Sequence, residues 1–434
     1  MTWLAGPPWV PAAIVFVVGT VVGRFLNRCI DHFPRHESLR DQLASPFRAS
    51  AAERALRAAR RPWHYVPVVG WLVRGNPLSR GWRSDVRHAA VELVNGLLLA
   101  AILWAEFPNG FLPAPPVDAF AVEGMWLPSP ASTSVTLQLV RLGLHLILAQ
   151  SLLVATVIDF RQMIIPDGAT VPAMLLALVV SAAAGGVWLV PLWYEDAGLL
   201  AILGMSDHFG GGVEVPAWLT AHPHAHGLLV SLAGLIVGGG TVWAVRWIGH
   251  WALGREAMGF GDVVLMAMIG AFVGWQPVLT VFFLAPVCAI VVVFLAVLSG
   301  TSREFPFGPW LSLAAILLLV AWQVIWPFAG RFFLMGRLMP FVGITILLLL
   351  AILLRGMRLI RGDRYWHVDR SEHWTSADQL LYLSQENAAD SQTRWRSRDG
   401  HEWSGLASGR GSLGEQRWRA SAPPSDWWRV PRKP

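Results

Sequence analysis

Residues 152–180 read LLVATVIDFRQMIIPDGATVPAMLLALVV. Two apolar runs flank a short polar turn; the first ends on a carboxylate, Asp159, and the second begins just behind Pro166 and Asp167. Extended to 135–158 and 169–193, each run is long enough to cross a bilayer, which takes about 20 predominantly apolar residues. An ionisable group at the end of such a span is costly, so Asp159 is a functional candidate by default.

Outward from this pair the pattern repeats. Further spans are expected near 9–28, 88–105, 226–249, 277–299, 309–328 and 338–356, and a shorter apolar stretch, 263–275, begins directly at Asp262. Hydrophobic residues make up 54% of the 434 and charged residues only 14%, against roughly 25% charged in soluble domains. One soluble core cannot bury that excess. The fold class expected is all-α: a polytopic membrane helix bundle with eight to nine transmembrane segments. The first span reads as a retained anchor, because no basic residue precedes it and no small-residue cleavage site follows it. Cys29 and Cys288 are the only cysteines. They supply no disulfide framework and no cysteine-based metal site, and ordinary burial is expected for both.

The net charge of +6 would raise the question of nucleic acid in a soluble protein. Here its distribution gives a simpler use. Eleven arginines crowd 31–87, from Arg35 to Arg87, and arginines recur from Arg355 onward, whereas 106–134 and 195–225 carry acidic residues and no arginine. The positive-inside rule makes the first two regions cytoplasmic and the other two external. A partner in nucleic acid is not expected; anionic membrane lipid is the expected neighbour of the loop arginines, with a small interfacial helix within 40–61. Three regions follow: 1–87, the first span and its basic loop; 88–360, the helix bundle; and 361–434, an Arg-, Ser-, Gly- and Trp-rich tail for which disorder is expected.

The second candidate acid, Asp262, stands in Met258-Gly259-Phe260-Gly261-Asp262 at the head of an apolar run. Counting spans puts it on the same, cytoplasmic, side as Asp159, as a paired-carboxylate site requires. Two close carboxyls cannot both ionise cheaply, so one keeps its proton. The ionised member can take a proton from attacking water while the other donates to a peptide carbonyl oxygen. Gly259 and Gly261 would let a substrate strand approach closely. Taken alone, the Gly-Xaa-Gly-Asp string reads first as a turn with an aspartate at a helix N-cap.

The ordered blocks together resemble the type IV prepilin peptidases, relatives of the presenilin-like Gly-Xaa-Gly-Asp proteases. The blocks are Gly23-Arg24-Phe25-Leu26-Asn27 through Pro34; Tyr65-Val66-Pro67 through Gly75, with Arg87 and Val91-Glu92-Leu93; Ile158-Asp159 with Pro166-Asp167; Gly254 through Asp262; and Phe305-Pro306-Phe307-Gly308-Pro309. The resemblance covers about residues 20–330. It implies a membrane aspartyl endopeptidase of the bacterial inner membrane. The catalytic pair would be Asp159 and Asp262, with Asp167 supporting, and the substrates would be prepilin or pseudopilin precursors cut at the cytoplasmic face. Glu92 and Glu256 are expected to be helix-end carboxylates that satisfy arginines or backbone.

This chain departs from the family in its first cytoplasmic loop. Many members carry two Cys-Xaa-Xaa-Cys pairs there, a zinc-binding spacing; here Pro77 and Arg80 stand where the second pair would be, and 40–62 has no cysteine. No metal is expected, and no cofactor for proteolysis. S-adenosylmethionine would enter only if the N-methylation associated with that loop were retained. The family's lysine two residues after the second aspartate is Val264. His222, His224 and His226 read as exposed loop histidines. Two other classes compete with the peptidase. A proton-coupled transporter would show helices broken at mid-membrane and a repeat between halves, neither of which the sequence displays; a catalytically silent scaffold of a pilus or type II secretion machine is the other.

Overall fold

A backbone in hydrocarbon must satisfy its own polar groups, and apolar runs of this length do so as helices. The computed structural model describes residues 9–36, 38–48, 66–70, 82–107, 121–122, 125–126, 135–192, 217–253, 258–298, 306–333 and 338–361. Its long helices are α1 (Trp9–His32), α3 (Trp82–Glu106), α4 (Val135–Gln162), α5 (Asp167–Ala184), α7 (Pro223–Leu253), α9 (Trp275–Leu298) and α12 (Leu338–Arg361). Between them lie the shorter α2 (Leu39–Ala44), α6 (Ala217–Ala221), α8 (Phe260–Val273), α10 (Gly308–Val320) and α11 (Trp322–Phe333). The strands described are β1 (Ala121–Val122) and β2 (Met125–Trp126), a two-residue antiparallel pair. The protein is a polytopic helical membrane protein: among the described residues seven helices are long and apolar enough to cross a bilayer, eight if α10 and α11 count as one span.

Two expectations are corrected, and a third falls largely outside the described residues. The run 309–328 is not a straight span, because α10 and α11 meet at a 99° bend. The 13-residue α10 reaches only about 20 Å at 1.5 Å per residue, short of a hydrocarbon core of about 30 Å; an interrupted helix is therefore present after all. The run 169–193 is helical only to Ala184. Of the interfacial helix expected within 40–61, the described part is α2 and a 3-10 turn, Ser45–Phe47. Residues 49–65, residues 193–216 with most of the external segment 195–225, Glu256 and the tail beyond 361 lie outside the described residues.

The main core joins α4, α5, α7, α8, α9 and α10 around Leu148, Leu152, Leu265, Met266, Ile269, Leu311 and Leu318. At its centre is α8, apolar and buried on nearly every side from Val263 to Val273, as expected of a helix with no polar face. Hydrophobic association is weak between helices already in lipid, so close packing of small residues takes over. A β-carbon on Gly234 of α7 would collide with the carbonyl of Gly270 in α8, and one on Gly270 with that of Gly234. The Ser231 hydroxyl adds a 2.6 Å hydrogen bond to the Ala271 carbonyl. A second pair, α1 with α3, closes in the same way: a β-carbon on Gly19 would meet the Gly96 Cα at 2.8 Å, and the Asn95 side-chain amide donates to the Gly19 carbonyl at 2.7 Å. Leu26, Ile30 and Phe33 of this pair pack on Val154, Ile158 and Ala169, which couples it to the α4–α5 turn.

Candidate active site

Asp159 lies in the last turn of α4 and Asp262 in the first turn of α8; their side chains are 4% and 8% exposed. They come within electrostatic reach of each other across 103 positions of sequence. Each is held by a backbone amide at a helix N-terminus. Gly259 caps α8, and its N–H donates back to the Asp262 carboxyl three residues on, the reach-back of a capping box. The N–H of Gly308, first residue of α10, donates to the Asp159 carboxyl. Two helix dipoles thus direct their positive ends at the two acids, which offsets part of the cost of keeping carboxyls in a dry site.

The close approach at Gly308 depends on its missing side chain. A β-carbon there would lie 2.5 Å from Oδ2 of Asp159 and 3.1 Å from Cδ1 of Ile165. At Gly261 a β-carbon would lie 3.0 Å from Cβ of Ile165. So Gly261 serves packing beside the second aspartate, and Gly259 supplies the amide that holds it. The turn that carries Ile165 is itself constrained. Met163 takes a left-handed φ of 54°, which closes α4, and its N–H donates to the Asp159 carbonyl at 2.8 Å. Pro166 then caps α5 in an extended conformation.

Asp167, the expected supporting acid, stands exposed in the first turn of α5 rather than with the pair. The neighbouring amide is the one tied down: the Gly168 N–H donates to Oε1 of Gln42 at 2.6 Å, while Nε2 of Gln42 donates to the His36 carbonyl at 2.9 Å. The side chain of α2 therefore caps α5 from 126 residues away. Nothing in the sequence around Gln42 announces this. Ile165 was equally silent, whereas Gly308 lay inside the Phe-Pro-Phe-Gly-Pro block.

The other acids at this end are structural. Glu92 is fully buried and accepts from Nε of Arg24 at 3.1 Å and from the Val68 N–H at 2.5 Å, as expected of a carboxylate that satisfies arginine and backbone. Asp31 pairs with Arg87 at 2.7 Å and with His88 at 2.8 Å. Cys29 and Cys288 are buried free thiols. Of the three histidines read as exposed, His222 and His224 are so, but His226 is 3% exposed. It lies inside α7, packs against Trp188 with the rings tilted by 39° and accepts the Leu192 N–H at 2.9 Å, which pins the segment after α5. Among the described residues no group of three or more His, Cys, Asp or Glu is arranged to hold a metal ion.

Two buried carboxyls, at the start of α8 and the end of α4, thus lie within electrostatic reach of each other. A profile of the type IV leader peptidase family matches residues 146–294, and one of the bacterial Peptidase A24 N-terminal domain matches residues 17–106. The chain belongs to the type IV leader peptidase family. Both aspartates fall inside the first match, and Gly23, Arg24 and Glu92 inside the second. Among its relatives is a prepilin leader peptidase/N-methyltransferase of Pseudomonas putida, 27% identical over 332 residues, or 72% of this chain and 91% of the relative. The enzyme of the same description from Pseudomonas aeruginosa is 26% identical over 341 residues, covering 74% and 93%. That of Klebsiella pneumoniae is 25% identical over 273 residues, covering 62% and 88%. No solved structure matches the chain significantly.

Proposed function

We propose that this leader peptidase family member is a membrane aspartyl endopeptidase that removes the leader from prepilin or pseudopilin precursors, with Asp159 and Asp262 as its catalytic pair. The observation that carries the proposal is the meeting of these two buried acids from α4 and α8, each on a helix-terminal amide. Among the described residues no cation forms an ion pair with either. Carboxylates kept for structure have partners of opposite charge; a pair that faces itself must share a proton.

A water between the two carboxyls can lose a proton to the ionised member as it attacks the scissile carbonyl, while the protonated member donates to the carbonyl oxygen. Collapse of the tetrahedral species returns a proton to the leaving amine and restores the pair. The amides of Gly259 and Gly308 fix both acids throughout, and preorganisation of this kind lowers the cost of reaction. Asp167 supports the site at a distance, through the charge it places at the start of α5. The arginine-rich loops support a cytoplasmic, inner-membrane orientation for this end of the bundle, where a basic leader would remain. Lipid headgroups satisfy the loop arginines, and nucleic acid has no role. Proteolysis of this kind needs no metal or cofactor. The relatives' printed activity includes N-methylation; with no cysteine pairs in the loop, we assign this chain the peptidase half only, and S-adenosylmethionine would serve it solely if the second half were kept.

Co-expression with a prepilin precursor tests the reading by leader removal on gels and by the mass of the mature N-terminus. The expected result is cleavage by the natural chain, none by Asp159→Ala or Asp262→Ala, and an unmethylated product. Uncut precursor across several candidate substrates would favour a silent scaffold.

A further inference from the structure

The two aspartates are fixed to the N-termini of α10 and α8, so their separation is the separation of those two helix ends. Among the described residues, the Ile165 side chain touches both helix ends. Ile165 reaches Gly261 with its Cβ end, 3.0 Å from where a β-carbon would stand, and Gly308 with its Cδ1 end, at 3.1 Å. Both neighbours are glycines, so the isoleucine meets backbone on each side, and backbone cannot swing away as a side chain would. Isoleucine is also branched at Cβ and stiff about χ1, which suits a spacer. Its own backbone is anchored from two directions. Met163 closes α4 immediately before it, and the Gln42 bond to Gly168 fixes the start of α5 immediately after it.

We propose that Ile165 is a positioning residue that sets the gap between the N-termini of α8 and α10, and with it the spacing of Asp262 and Asp159. The inference rests on the peptidase reading, because spacing matters only to acids that share a proton and a water. A smaller side chain lets the two helix ends approach, and a larger one wedges them apart. Either change alters how strongly the acids interact, and therefore how far apart the two limbs of a bell-shaped pH profile lie.

The test uses the full-length chain in lipid nanodiscs, with Ile165→Val, Ile165→Ala and Ile165→Phe. With a prepilin substrate, Ile165→Val should stay within about threefold of the natural chain. Ile165→Ala and Ile165→Phe should lose on the order of 10- to 100-fold in kcat with KM little changed, and the two limbs of their pH profiles should move relative to each other. A second measurement needs no substrate. In a Cys29→Ala, Cys288→Ala background, Asp159→Cys and Asp262→Cys are joined by dithiol-reactive linkers of graded length, and the linker length of highest yield should increase in Ile165→Phe and decrease in Ile165→Ala. Unchanged pH limbs and an unchanged best linker, with any kcat loss tracking thermal stability, would overturn the proposal and leave Ile165 as ordinary packing. If the natural chain cuts no prepilin, the peptidase reading fails, and the linker series alone still decides whether Ile165 sets the gap.

Discussion

Buried and half-buried acids occur at both ends of this bundle, and their company differs. At the end opposite the aspartate pair, Glu106 closes α3 against Nδ1 of His145 and lies 3.6 Å from Nε of Arg141, both from α4. At the aspartate end, Glu92 and Asp31 are likewise matched with arginines or histidine. Asp159 and Asp262 instead meet each other and two backbone amides. A charge buried for architecture is neutralised, since breaking such a pair costs about 3–5 kcal/mol; an acid buried for chemistry is left with a proton to exchange.

The comparison makes its strongest claim for the pair itself. Asp159→Asn and Asp262→Asn should each lower leader removal by about 10²–10⁴-fold or more, while the melting temperature in detergent stays level or rises because the pair no longer has to hold a buried charge without a cation. A matching loss of stability would place these acids with the structural group. Glu92→Ala should behave oppositely: it removes the acceptor shared by Arg24 and the Val68 amide, so thermal unfolding should shift down by the equivalent of about 3 kcal/mol or more, and surviving folded protein should keep most of its specific activity. Gly308→Ala sharpens the boundary between the groups. Its β-carbon would press on Oδ2 of Asp159 at 2.5 Å, and cleavage should fall about 10- to 100-fold with far less change in unfolding than Glu92→Ala produces. Gln42→Leu should cost about 1 kcal/mol through the lost cap on α5, read as a small shift in unfolding and a several-fold loss of cleavage. Incubation with a strong chelator should leave cleavage unaltered, and inhibition reversed by zinc would reveal a metal site that the sequence does not advertise.

How much of this was legible without coordinates follows from how local each signal is. Asp159 and Asp262 could be named because an acid at the edge of a long apolar run is anomalous by itself. Glu92 could be read as a structural carboxylate because helix-end acids usually are. The bend between α10 and α11 was hidden, since Val320-Ala321-Trp322 is as apolar as its neighbours and the break carries neither glycine nor proline. His226 was misread for a related reason: three alternating histidines look like a loop until α7 begins at Pro223 and turns one of them inward.

The sequence by itself determined that the chain is a helical membrane protein, which of its ends carry positive charge, and which two acids stand out, because hydropathy and charge act residue by residue along the chain. Only the tertiary structure decided that those acids meet, that the amides of Gly259 and Gly308 hold them, and that Ile165 and Gln42 brace the turn between α4 and α5. Apart from the local bond of Gly259 to Asp262, those facts depend on packing between segments some hundred residues apart or more, and contacts at such a distance leave no periodic trace in the sequence.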